Sequence, residues 1–135
     1  MIFAIISCFI LSIFILCFGA QLKNYALKGL AVFPFFLFIF FVTFISSDLI
    51  KDGYLIQQEW IPSLGISLDF NLDGLSLLFA LLITGIGTFI FLYASSYLKG
   101  HPHLNRFYAY LTMFMGSMLG LVLSDNLLTM FIFWE

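Results

Sequence analysis

The chain alternates long uncharged apolar runs with short polar breaks. Residues 2–19 carry no charge and, at 1.5 Å per residue, would make about 27 Å of helix, close to the ~30 Å hydrocarbon core of a bilayer. A second run lies between Lys28 and Asp48, with Pro34 in its first turns, where a missing N–H is tolerated. The third covers residues 74–98, long enough to cross at a tilt. A fourth runs from Phe107 to Ser124, and a fifth begins near Asn126 and reaches Glu135. The pattern predicts an all-α polytopic membrane protein with four complete transmembrane helices and roughly half of a fifth. The first run lacks a basic leader and is followed by further apolar runs, so it reads as a retained helix rather than a cleaved signal.

One segment breaks this pattern. In "ISLDFNLDG", Ile66, Leu68, Phe70 and Leu72 alternate with Ser67, Asp69, Asn71 and Asp73. A period of two marks a half-buried strand. Upstream, "QQEWIPSLG" supplies a second short strand ending in a turn at 62–65. Together they predict a β-hairpin on the membrane surface, with Trp60 in the interfacial aromatic belt. The predicted organisation is a first helix pair in 1–54, the hairpin in 55–73, and helices three to five in 74–135.

Composition explains why the runs cannot be a soluble core. Hydrophobic residues make up 63% and charged residues 9%, against about 25% charged in ordinary globular domains. A small soluble fold could not hide so much apolar surface, so the solvent is lipid. The net charge of −2, with no basic run and no Gly-rich phosphate loop, gives nucleic acid and nucleotides nothing to bind. Cys8 and Cys17 both lie in the first apolar run, without a CxxC or Cys/His cluster, so no metal or cofactor is implied. Lys23 and Lys28, and again Lys99 and Arg106, stand in breaks without acids, whereas Lys51 is outnumbered by Asp48, Asp52, Glu59 and Asp69. By the positive-inside rule the N-terminus, the hairpin and residues 124–126 are extracytoplasmic, and the fifth helix runs inward.

Glu135 is the leading candidate for chemistry. Nine residues beyond Asn126, it would lie about 13 Å along the fifth helix, against a half-core of ~15 Å. A charge near the midplane costs on the order of 3 kcal/mol and usually faces a bundle interior or an ion or proton path. Burial holds a proton on such an acid and a nearby lysine releases it, so a group between these pulls can load and unload. The plain alternative is a boundary acid, if the fifth helix begins later. A helix stopping at the midplane would also leave carbonyls unpaired in hydrocarbon, so a longer polypeptide is expected. Asp73 and Asp125 both stand at predicted helix starts, where an N-cap and an ion entrance are the competing roles. Gly116 and Gly120 form a GxxxG motif that, with Ala109 and Thr112, makes a small-residue stripe for close helix packing. Gly85 and Gly87 loosen the third helix similarly and mark a candidate kink. His101 and His103 read as solvated loop residues.

Three segments in order carry a family resemblance: "LDGLSLLFALLITGIGTFIFLYASSYL", "RFYAYLTMFMGSMLGLVLSDNLL" and "FWE". They resemble the N-terminal part of antiporter-like membrane subunits. The likeness is strongest to the A-type subunits of Mrp multisubunit Na+/H+ antiporters and extends to the chain-5 type subunit of proton-pumping NADH–quinone oxidoreductase. The resemblance implies a transporter rather than an enzyme, in the plasma membrane and in complex with other subunits. It also implies that Glu135, the acid of "FWE", acts in a hydrated proton path with a lysine from a later helix. Its implied partners are the bilayer, the remaining helices of a longer subunit, H+ and Na+. A proton-pumping membrane arm and a purely structural helix bundle are the alternatives.

Overall fold

The computed structural model describes residues 1–19, 29–45, 54–61, 66–98 and 103–135. The apolar runs become helices: α1 (Ile2–Phe18), α2 (Val32–Ile45), α3 (Gly74–Tyr97), α4 (Leu104–Leu123) and α5 (Leu127–Trp134). Between α2 and α3 lie β1 (Tyr54–Ile61) and β2 (Ile66–Leu72). Among the described residues, α3 and α4 are long and apolar enough to cross a membrane, while α1 and α2 are shorter apolar helices. The structure is therefore mostly helical with one small sheet. The turn at 62–65, the side chain of Trp60, and Lys23, Lys28, Asp48, Lys51, Asp52, Lys99 and His101 lie outside the described residues.

Many large apolar side chains face outward, as with Phe3 at 86% and Phe89 at 72% exposed, while Ala80, Thr84, Ala109 and Thr112 are fully buried together with Phe41, Phe91 and Tyr108. Without a hydrophobic drive between helices, close backbone approach and interhelical hydrogen bonds hold such a bundle. Accordingly α1 packs chiefly on α4, α2 on α3, and α4 also meets α3 and α5. The buried stripe of α1 is Ala4, Ile5, Cys8, Ser12 and Ile15. Ser12 Oγ donates to the Ala109 carbonyl of α4 at 2.7 Å. Tyr108 on α4 reaches the Phe91 carbonyl of α3 at 3.2 Å. Pro34 occupies the first turn of α2 and is buried, where the N–H it lacks has no helical partner to lose.

β1 and β2 pair antiparallel from Tyr54↔Leu72 to Ile61↔Ile66, with an irregularity between Glu59 and Ile61. The apolar positions of β2 enter the core: Phe70 and Leu72 pack with Cys8, Leu77, Leu119 and Leu123. One boundary differs from the sequence pattern. α4 starts three residues before Phe107 and takes Arg106 into its first turn, a placement open to a long side chain with a polar tip. α3 runs as one helix through Gly85 and Gly87. Those glycines are contact points, one facing Phe38 of α2 and the other Met115 of α4.

Candidate functional site

Asp73 begins α3 as a reciprocal cap. Its Oδ1 accepts from the Ser76 backbone N–H at 2.7 Å, and its own N–H donates to Ser76 Oγ at 2.8 Å. The Ser76 N–H, with the Ser76 hydroxyl, holds the Asp73 carboxyl below its ordinary value of 3.8. A depressed folded value stabilises the charged form. The contribution is therefore complete above 3.8 and is lost as pH falls through the lowered folded value. Asp73→Ala is expected to cost about 1 kcal/mol, and Asp73→Asn only a few tenths, because Asn caps equally well. Thermal unfolding in detergent at neutral and acid pH checks both, with the acid-side loss absent in Asp73→Asn.

Asp125 does not cap α5. That position belongs to Asn126, whose Oδ1 accepts from the Thr129 N–H at 2.7 Å. The Asp125 backbone N–H donates to the Asp69 carbonyl at 2.8 Å. The Asp125 side chain instead accepts from Asn71 Nδ2 at 3.1 Å.

These contacts belong to a polar seam between β2 and the start of α5. Asn126 Nδ2 donates to Asp69 Oδ2 at 2.8 Å and to the Ser67 carbonyl at 2.9 Å. Ser67 Oγ also donates to Asp69 Oδ2, and the Asp69 N–H donates to Thr129 Oγ1 at 3.2 Å. Asp69 is 9% exposed and Thr129 fully buried. Within the seam, Asp69 Oδ1 and Asn71 Oδ1 are buried without a hydrogen-bond partner. Loop charge counting places Asp69 merely among surface acids. The period-two face of Ser67, Asp69 and Asn71 is the one sign in the sequence that these side chains have a common destination. Thr129→Val removes one acceptor from a buried N–H and is expected to cost about 1–3 kcal/mol in detergent unfolding.

The seam and one aromatic contact fix how α5 is turned. Phe133 lies against Gly120 of α4, where an added Cβ would fall within the ring. Its ring is 5.9 Å from that of Phe70 and 6.4 Å from that of Phe9. Four residues upstream on the same face is Thr129. At 100° per residue, Glu135 stands about 200° from Phe133 and about 240° from Thr129. It therefore shares the outward face with Leu128 and Phe131, which are 42% and 62% exposed. Glu135 is itself exposed, and its N–H closes the helix onto the Phe131 carbonyl at 3.1 Å. Gly116, one turn from Gly120, faces α1, where a Cβ would stand 2.8 Å from that of Cys8. His103 precedes the first residue of α4. Among the described residues, no group of three or more His, Cys, Asp or Glu side chains could hold a metal ion.

Residues 60–108 match the family described as NADH-ubiquinone oxidoreductase (complex I), chain 5 N-terminus. The chain is 53% identical over 107 residues to the A subunit of the Na(+)/H(+) antiporter of Alkalihalophilus pseudofirmus, covering 77% of this chain and 13% of the relative. It is 48% identical over 102 residues to the A1 subunit of the Na(+)/H(+) antiporter of Staphylococcus haemolyticus, covering 76% of this chain and 13% of that one. The fold matches a chain in the structure of the Mrp complex from Dietzia sp. with a TM-score of 0.78 at 29% identity, over 98% of this chain and 14% of the other. These matches define the class as an antiporter-like protein embedded in a membrane. Within it, the chain corresponds to the N-terminal part of the A subunit of an Mrp-type Na+/H+ antiporter. It spans 13% of the length of those A-type relatives.

Proposed function

We propose that the chain contributes to a membrane subunit of a multisubunit secondary Na+/H+ antiporter, in which Glu135 carries or gates protons near the bilayer midplane. The observation that carries this reading is the set of α5. Phe133 and Thr129 bind one face to the bundle, and Glu135 occupies the other, about 13 Å from the helix start. A carboxylate at that depth is costly unless it meets a partner or an aqueous path. The remaining helices of a longer subunit would supply that surface, and other subunits of the complex would complete the transporter. The substrates are H+ and Na+, without a cofactor.

In this reading α1 and α2 belong to the first two spans, α3 and α4 complete four, and α5 is the outer half of a fifth. Residues 1–54 form the first helix pair, 55–73 the hairpin, and 74–135 the start of the antiporter-like core. The N-terminus and the sheet lie on the extracytoplasmic side of the plasma membrane. Asp73 and Asp125 lie on that side too, where besides their structural bonds they would form an acidic entrance. Gly116 and Gly120 serve helix packing.

The family description of residues 60–108 favours a second reading, a proton-pumping membrane-arm subunit of NADH–quinone oxidoreductase. The antiporter relatives match over a longer stretch and supply the first choice. A structural bundle without a transport role of its own is the third. Exchange of Glu135 for Gln in the assembled full-length complex, read as Na+-dependent proton flux, tests the proton-carrier role.

A further inference from the structure

We propose that the groove between α3 and α4, on the side of the sheet, binds a phospholipid whose headgroup carries a primary ammonium. Two hollows lie end to end there. One, about 530 Å³, is bordered at its polar end by Asn71, Asp73, Ser76, Ser124 and Asp125. The other, about 300 Å³, is walled by apolar side chains that include Ile86, Ile90, Leu111 and Met115. Phe79, Ile83 and Met118 line both, so the two form one continuous groove. Gly87 lines it, and a Cβ there would stand 3.2 Å from Met115 Sδ.

The groove has the dimensions and polarity of one lipid leaflet. Phe79 and Ile90 are eleven residues apart on α3, about 16 Å of helix, against ~15 Å for half of a hydrocarbon core. The polar end lies at the strand and helix-cap level, where a headgroup would sit.

Charge then selects the headgroup. Two carboxylates, Asp73 and Asp125, border the mouth, and among the described residues neither Lys nor Arg lines it. Ser76 donates to Asp73 and Asn71 to Asp125, while a carboxylate can accept about four hydrogen bonds. A primary ammonium offers three N–H donors to such a mouth. A quaternary choline offers none, and an anionic head would be repelled. This inference rests on membrane embedding alone and is independent of the role of Glu135.

Native mass spectrometry of the chain in detergent, challenged with equal amounts of dioleoyl phosphatidylethanolamine, phosphatidylcholine and phosphatidylglycerol, tests it. Wild type is expected to retain one phosphatidylethanolamine over either competitor by about threefold, the scale of a partly exposed charge pair. The double variant Asp73→Asn with Asp125→Asn keeps the cap and the acceptor for Asn71, and is expected to retain one lipid without preference. Ile86 is 51% exposed, so Ile86→Trp fills the groove without entering the core and is expected to lose lipid of all three kinds. Circular dichroism confirms the fold of each variant. Equal uptake of the three lipids by wild type, or a preference that survives both Asn substitutions, overturns the proposal. Retention unchanged by Ile86→Trp does the same, as does failure of wild type to retain lipid, the outcome if a protein helix covers the groove.

Discussion

Na+-dependent proton flux is expected to fall about a hundredfold when Glu135 is replaced by Gln in the assembled antiporter, the scale of losing a positioned proton-transfer group. Gln matches Glu in size and retains hydrogen bonding, but it cannot take up and release a proton. The outward set of α5 makes the exchange clean, because Glu135 contributes no side-chain bond to the β2 seam or to the Gly120 contact. Glu135→Asp keeps the acid on a shorter stem and is expected to retain part of the flux. Everted membrane vesicles with a pH-sensitive dye give the measurement, and native gels report assembly. Normal flux through a fully assembled Glu135→Gln complex would remove the proton-carrier role. Loss of the complex itself would favour the structural bundle.

Gly120→Ala should lower stability in detergent by about 1–3 kcal/mol, the usual cost of overpacking a filled contact. The added methyl would fall within the Phe133 ring, which Phe70 and Phe9 confine from two sides. Phe133→Ala alone loses packing against the same neighbours. The double variant should recover part of the Gly120→Ala loss, with a coupling of about 0.5–3 kcal/mol, because it removes the collision along with the ring. Purely additive losses would show that Phe133 on Gly120 does not set the turn of α5. In the assembled transporter Gly120→Ala should also reduce flux, since a rotated α5 carries Glu135 off its face.

The helices were readable because charge in this chain is rare and falls at their ends. Asp73, Arg106 and Asp125 bracket apolar runs that close to within a few residues of α3 and α4. The strand β2 was readable because its alternation survives a lipid-solvated context: Phe70 and Leu72 do enter the core. Facing was harder to read. α1 and α2 are apolar all round, so hydrophobicity cannot say which side is inside; Ala4, Cys8 and Ser12 mark it in α1, while α2 buries Pro34, Leu37 and Phe41. The stripe of Ala109, Thr112, Gly116 and Gly120 carries that mark plainly.

The polar seam escaped for a different reason. Asp69 and Thr129 are sixty residues apart, and no local pattern ties a strand position to a particular turn of a helix. Asp125 and Asn126 are adjacent and both capable of capping. The Asp125 carboxylate is turned to Asn71 of the strand, and that bond is tertiary.

The same sixty-residue separation bears on biogenesis. At about 5–20 residues per second, Asp69 leaves the ribosome roughly 3–12 s before Thr129 does. During that interval the buried face of β2 lacks the donor of Asn126 and the hydroxyl of Thr129 that later occupy it. The strand can complete its burial only after α3 and α4 have been inserted and α5 has begun. Until the seam closes, Asp69 has the hydroxyl of Ser67 but not the amide of Asn126.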